Sequence, residues 1–171
     1  MKTSMAMKLF KYVFSIYFGI TVLITASQMY AQYNEQKKDI LNELKVKKNS
    51  FLKSLADVMW IMSWDKLENV GDGILNMPII EGVQITYMKK DKFKKGKVFE
   101  GKDAENIKDK IDKGEIFFHQ FDIIKKSGEK EIKIGVTKLY STQSKVMDRL
   151  KFGWGLAVSV VVLQAGLLLF L

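Results

Sequence analysis

Two apolar segments, residues 9–31 and 152–171, bracket a long polar stretch. A membrane-crossing helix needs ~20 mostly apolar residues to span ~30 Å of hydrocarbon, and each segment reaches that length. The second, FGWGLAVSVVVLQAGLLLFL, contains no charged residue. The first contains only Lys11, close to its start, where a long side chain can reach back to the headgroups. The pattern predicts a short N-terminal segment (residues 1–8), a membrane helix (9–31), a polar domain (32–151) and a second membrane helix (152–171). Within the polar domain, residues 32–50 read as a helical stalk.

The charges set the expected orientation. All 19 acidic residues and 25 of the 28 basic ones fall between Tyr33 and Lys151, so this loop carries +6. The remaining basic residues are Lys2, Lys8 and Lys11. Lysines before a first span favour a cytoplasmic N-terminus, whereas a long loop translocates largely regardless of its charge. Lys145, Arg149 and Lys151, beside the second segment, argue weakly the other way. The expectation is an extracytoplasmic loop with both termini in the cytoplasm. A cleavable signal peptide is the rival for the first segment, because Thr25-Ala26-Ser27 offers small residues near its end. Against cleavage, the apolar run exceeds the usual 7–15 residues and leads straight into helix-forming sequence.

Cysteine is absent, which excludes disulfides and thiolate metal sites. The loop is long enough for one small domain with its own core and too short for two. No nucleophile elbow, phosphate loop, zinc signature or paired-carboxylate motif is present, so no catalysis and no cofactor are expected within this chain. Nucleic acid is not an expected partner of a domain outside the cell.

Residues 33–62 contain neither Gly nor Pro. Ile40, Leu44, Phe51, Leu55, Val58 and Met62 recur with helical period and form one apolar stripe. The stripe serves either as core or as the seam of a homodimer. Ser63 or Asp65 reads as the N-cap of a second helix, Lys66–Met77, with Leu67, Val70 and Ile74 on one face and Pro78 ending it. The period then becomes two. Val83, Ile85 and Tyr87 mark a half-buried strand, and the lysine-rich run Lys89–Lys97 reads as a hairpin tip with Val98-Phe99 as a short return strand. Residues 103–113 read as a polar helix or loop. Ile116–Ile124 and Glu131–Tyr140 are two further strands joined through a turn at Gly128, the second expected to bury Ile132, Ile134 and Val136. The fold class is α+β: a long N-terminal helix continuous with a membrane span, an antiparallel sheet of four to five strands, and an exit helix into a second span.

The succession of long helix, Trp60, Leu67, Pro78, Ile80, Val83 and Ile85, a lysine-rich turn and a second hairpin resembles the extracytoplasmic PAS-like, single Cache-type sensor domains of bacterial transmembrane receptors. The likeness covers residues 51–140 and is diffuse. It departs from related sequences at Ile61 and Ser63, where an amide and a carboxylate often stand; the nearest carboxylate is Asp65. The resemblance implies a ligand cavity between the sheet and the helical segment crossing it. It would be lined by Trp60, Trp64, Tyr87, His119 and Tyr140, with Phe118 beside them, Asp65 as a polar group, and Lys89 or Lys138 at the rim. Strand alternation sets Phe118 and His119 on opposite faces, so both cannot line one cavity. His119, the single histidine, reads either as a core residue or as a proton sensor. Asp65 reads first as a helix cap, and the tryptophans first as core.

The resemblance further implies the sensor region of a receptor in the bacterial cytoplasmic (inner) membrane. It would be dimeric through residues 33–62 and would detect a small-molecule or protein cue. Since the second apolar segment closes the chain, the expected output module, a histidine kinase or cyclase, lies outside it. The alternative is an envelope structural or assembly protein, tethered by two membrane helices and binding a protein partner with its sheet.

Overall fold

The structure is a computed structural model and describes residues 5–100, 106–128 and 130–170. Helix α1 runs from Met5 to Trp60, and α2 from Trp64 to Leu75. Strands β1 (Gly82–Tyr87) and β2 (Lys90–Lys95) follow, then a 3₁₀ turn (Lys97–Phe99) and a short helix α3 (Ile107–Asp112). Strands β3 (Ile116–Ser127) and β4 (Lys130–Thr142) lead into α4 (Gln143–Phe170). The chain divides into two compact units, one of Met1–Gln36 with Met147–Leu171, the other of Lys37–Val146.

In the first unit the α1 side chains are strongly exposed, among them Leu9, Tyr12, Ile16 and Leu23. Within Lys8–Trp60 an apolar window has mean hydropathy 1.7, and none of it is buried inside the protein. Among the described residues this is the one helix long and apolar enough to cross a membrane. The apolar residues Phe152, Leu156 and Leu163 of α4 are exposed as well. Leu171, the end of the second expected span, lies outside the described residues, as do residues 103–105 of the expected polar helix.

The second unit is built on an antiparallel sheet of order β2-β1-β4-β3. One face is covered by the helical stripe. Leu44, Phe51, Leu55, Ala56 and Met59 of α1 share a core with Leu67 and Ile74 of α2 and with Val83, Ile85, Phe93, Phe121, Ile123 and Leu139 of the sheet. The apolar period of α1 is therefore spent on the domain core; an i, i+4, i+7 stripe supplies the width one sheet face needs. Asp57 is ion-paired to Lys125 and ties α1 to β3, which holds the Asp57 carboxyl below its ordinary value of 3.8 through that hydrogen bond. On the opposite face a smaller cluster forms from Val98, Ile116 and Tyr140, with Ile107, Ile111 and Phe118 against it.

The second helix starts at Trp64 rather than Lys66, with Ser63 as its N-cap residue, and ends at Leu75 before Pro78. Asp65 lies in its first turn, not at the cap. The lysine run is not a hairpin tip. Tyr87 pairs with Lys90, so the turn is only Met88-Lys89, and the lysines themselves form the return strand. Phe93 explains this: it is the single inward residue of β2, buried against the core, while its charged neighbours face water. Val98 and Phe99 accordingly belong to a 3₁₀ turn.

The buried face of β4 departs from the expectation at a bulge. Ile123 pairs with Gly135 and Ile124 with Lys133, so Ile134 is an extra, bulged residue. Gly135, Thr137 and Leu139 are buried, whereas Ile132 is 40% exposed and Ile134 and Val136 are partly so. The inward parity switches across the bulge, so Gly135, Thr137 and Leu139 carry the buried face, while Ile134 packs against the edge of the core and Ile132 lines the cleft described below.

Candidate functional site

Three local features meet at the end of α1 and the β1–β2 turn. Helix α1 stops at Trp60, and Met62 takes φ 53 in the three-residue link to α2. Across from it, Met88 and Lys89 take φ 47 and 65, the backbone of a two-residue hairpin turn with both central residues left-handed. The bulge at Ile134 sits on the adjoining strand. Between them lies an open cleft of about 780 Å³, lined by Met59, Trp60 and Met62 of the helical bend, Thr86–Lys89 of the hairpin, and residues 132–136 of β4.

The lining is apolar in kind. Its lining residues with polar side chains are Thr86, Tyr87, Lys89 and Lys133, and among the described residues no acidic one lines it. Met59 lies over Gly135, where an added Cβ would come within 2.5 Å of the methionine Cε and of the Thr86 carbonyl oxygen. Glycine there lets α1 approach the sheet closely. Lys133 is paired with Asp122 at 2.7 Å. Beside the cleft, the Trp64 ring meets Tyr87 edge-on at 5.5 Å, and the Lys92 ammonium sits 4.5 Å from the Trp64 ring centre.

Backbone strain concentrates here. Among the described residues three non-glycine positions have positive φ, Met62, Met88 and Lys89, and all three line the cleft. Residues held in sparsely populated backbone regions cost about 1–3 kcal/mol each and gather at binding sites and clamps.

The expected site residues divide into four groups. Trp60 and Tyr87 line the cleft, Trp64 packs on Tyr87, and Lys89 lines it at the turn. Asp65 is exposed in the first turn of α2 and does not line the cleft. His119 lies in a different groove, with Lys45 and Lys48 of α1, and stacks on Phe121 at 6.1 Å. Burial, then the charges of Lys48 and Lys45, hold its pKa below the ordinary 6.5.

Tyr140 is corrected outright. Register pairs it with Phe118 and Gly82, whereas Leu139 pairs with His119 and Val83, so Tyr140 faces away from the α1 side. There it packs against Phe99 and Phe118, and its hydroxyl donates to Gln84 Oε1 at 2.9 Å. Burial pushes that hydroxyl up to about 12. Lys138 shares the outer face, 5.4 Å from the Phe118 ring. A cavity joining Tyr140 and His119 is therefore excluded by the register.

Sequence reasoning overlooked Met59, Met62, Met88, Lys133 and Gly135. Two signals were available: Met88-Lys89 is the two-residue gap between alternating runs, and Gly135 interrupts an otherwise branched strand. Compared with known proteins, the chain matches no family model and no curated protein.

Proposed function

We propose that this chain is the membrane-anchored sensor region of a bacterial signal-transduction receptor. Residues 32–151 form its extracytoplasmic PAS-like domain, and it passes an external cue through a second membrane helix to an output module not within this chain. The observation that carries the reading is a continuous path from the cleft to the exit helix. Strand β4 lines the cleft with residues 132–136, runs unbroken to Thr142, and is followed directly by α4 at Gln143. Glu81, just before β1, accepts a hydrogen bond from the Thr142 hydroxyl and pairs with Lys145 in the first turn of α4 at 3.5 Å. A ligand that draws β1 and β4 together at the cleft thus acts on the two strands that hold the start of α4.

The exposed apolar window of α1 supports the membrane part of the reading, since contiguous apolar surface of this extent on a helix fits an apolar environment. Reporter fusions test it. Fusions before Met1 and after Leu171 are expected to be active in the cytoplasm and an insertion in the Met88-Lys89 turn only outside. An external C-terminus overturns the receptor reading.

A further inference from the structure

We propose that the cleft binds a small amphipathic carboxylate, an aryl or alkyl body whose single anionic head is held by Lys89. This rests on the reading of the cleft as the place where a cue binds. The body is matched by the lining: Trp60, Tyr87, Met62, Met88 and Ile132 offer aromatic faces and adaptable thioethers. Met62 is 55% and Met88 75% exposed, so a ligand's apolar part removes surface that water otherwise covers. The volume, about 780 Å³, falls in the usual range for small-molecule sites.

The sign of the head follows from the charges. Among the described residues the lining includes lysines and no acidic residue, which disfavours a cationic ligand. Of the groups able to fix an anion, Thr86 already donates to Asp91 at 2.8 Å, and Lys133 is neutralised by Asp122 at 2.7 Å. Lys89 makes no ion pair among the described residues and is carried on the left-handed turn at the cleft's lip. One free ammonium group beside an apolar floor selects one anionic head on an apolar body, and a compact polar anion gains nothing from the rest of the lining.

The test uses the full chain in lipid nanodiscs, with empty nanodiscs subtracted. Ligand-observed NMR titrations compare phenylbutanoate, phenylbutanol and phenylbutylammonium. The carboxylate is expected to bind at least about tenfold tighter than the ammonium, the worth of one charge-assisted hydrogen bond. Lys89→Gln should weaken the carboxylate about tenfold and leave the alcohol unchanged, while Lys89→Arg keeps the preference. Lys126→Gln, at an exposed lysine paired with Glu131, neither of them among the cleft's lining residues, should change neither affinity. The proposal is overturned if the ammonium or the alcohol binds as tightly as the carboxylate, if Lys89→Gln loses no affinity, or if none of the three probes binds the folded protein. Those results leave the membrane topology untouched, so they are separable from a failure of the receptor reading.

Discussion

Two glycines in α2, two residues apart, should respond to alanine with opposite signs. An alanine Cβ at Gly71 would lie 2.6, 2.7 and 2.8 Å from three atoms of the Phe93 ring, whereas at Gly73 nothing stands within 4 Å. Carbon atoms pack best at ~3.5–4.0 Å, so the Phe93 ring must retreat by roughly 1 Å. Phe93 is 8% exposed within the core and paired through β2 with Ile85, so the retreat disturbs both layers. Overpacking of this kind costs about 1–3 kcal/mol, against which alanine returns about 0.8–1.0 kcal/mol of helix propensity. The net for Gly71→Ala is a loss centred near 1 kcal/mol; Gly73→Ala, with only the propensity term, gains about 1 kcal/mol. At about 4–8 °C per kcal/mol for a small domain, the two variants should melt roughly 10 °C apart. Thermal unfolding of the full chain in one detergent, followed by circular dichroism, reads the difference. Adding Phe93→Leu should restore much of what Gly71→Ala loses, a coupling of about 1 kcal/mol between residues in contact. Equal stabilisation by both alanines, or additive behaviour with Phe93→Leu, refutes the packing of α2 on β2 described above.

Three further outcomes are expected. Tyr140→Phe removes the hydrogen bond to Gln84 and should cost about 1 kcal/mol in thermal unfolding, yet leave phenylbutanoate binding unchanged; Tyr87→Ala should weaken that binding, and a reversed pattern would return Tyr140 to the site. Asp57 is more acidic folded than unfolded, so the stability from its pair with Lys125 is complete above pH 3.8 and is lost as pH falls through the lower folded value; in pH-dependent melting Asp57→Asn should flatten the acid limb and change nothing in its slope near neutrality. A homodimer through residues 33–62 cannot use the buried stripe, so single cysteines at Asn42, Val46, Asn49 and Lys53, all on the exposed side of α1, should crosslink in membranes, and ones at Leu44 or Leu55 should not; a flat profile rejects the dimer.

What the sequence disclosed, and what it concealed, follows from how far each signal reaches. The stripe from Ile40 to Leu55 was legible because a helical period summed over about four turns leaves one face for the sheet. Its expected last member, Met62, lies beyond the end of α1 and is 55% exposed, and the buried Met59 was not read as part of it. Strand β1 was legible for the same reason at period two, since Val83 and Ile85 are fully buried between polar neighbours. The run Lys89–Lys97 concealed a strand because its pattern rests on one apolar residue, Phe93, whose inward role is defined by Gly71 on another element. No window along the chain contains that partner. Strand β4 misled for a different reason. Its apolar residues occupy both faces, so alternation alone fixes no side, and the bulge at Ile134 is set by pairing with β3. The site inherits both difficulties. Trp60, Tyr87 and Lys89 could be named because each borders an element end, whereas Gly135 and Met59 matter only through each other: the glycine lets the methionine approach the sheet, and their contact helps set the cleft's floor. Tyr140 was drawn into the site by its residue type and removed by its register, for a single step along β4 separates the face of Leu139 from the face of Tyr140. In a sheet this small, which side chains share a cavity is thus decided by pairing register and bulge position, quantities that belong to two strands at once.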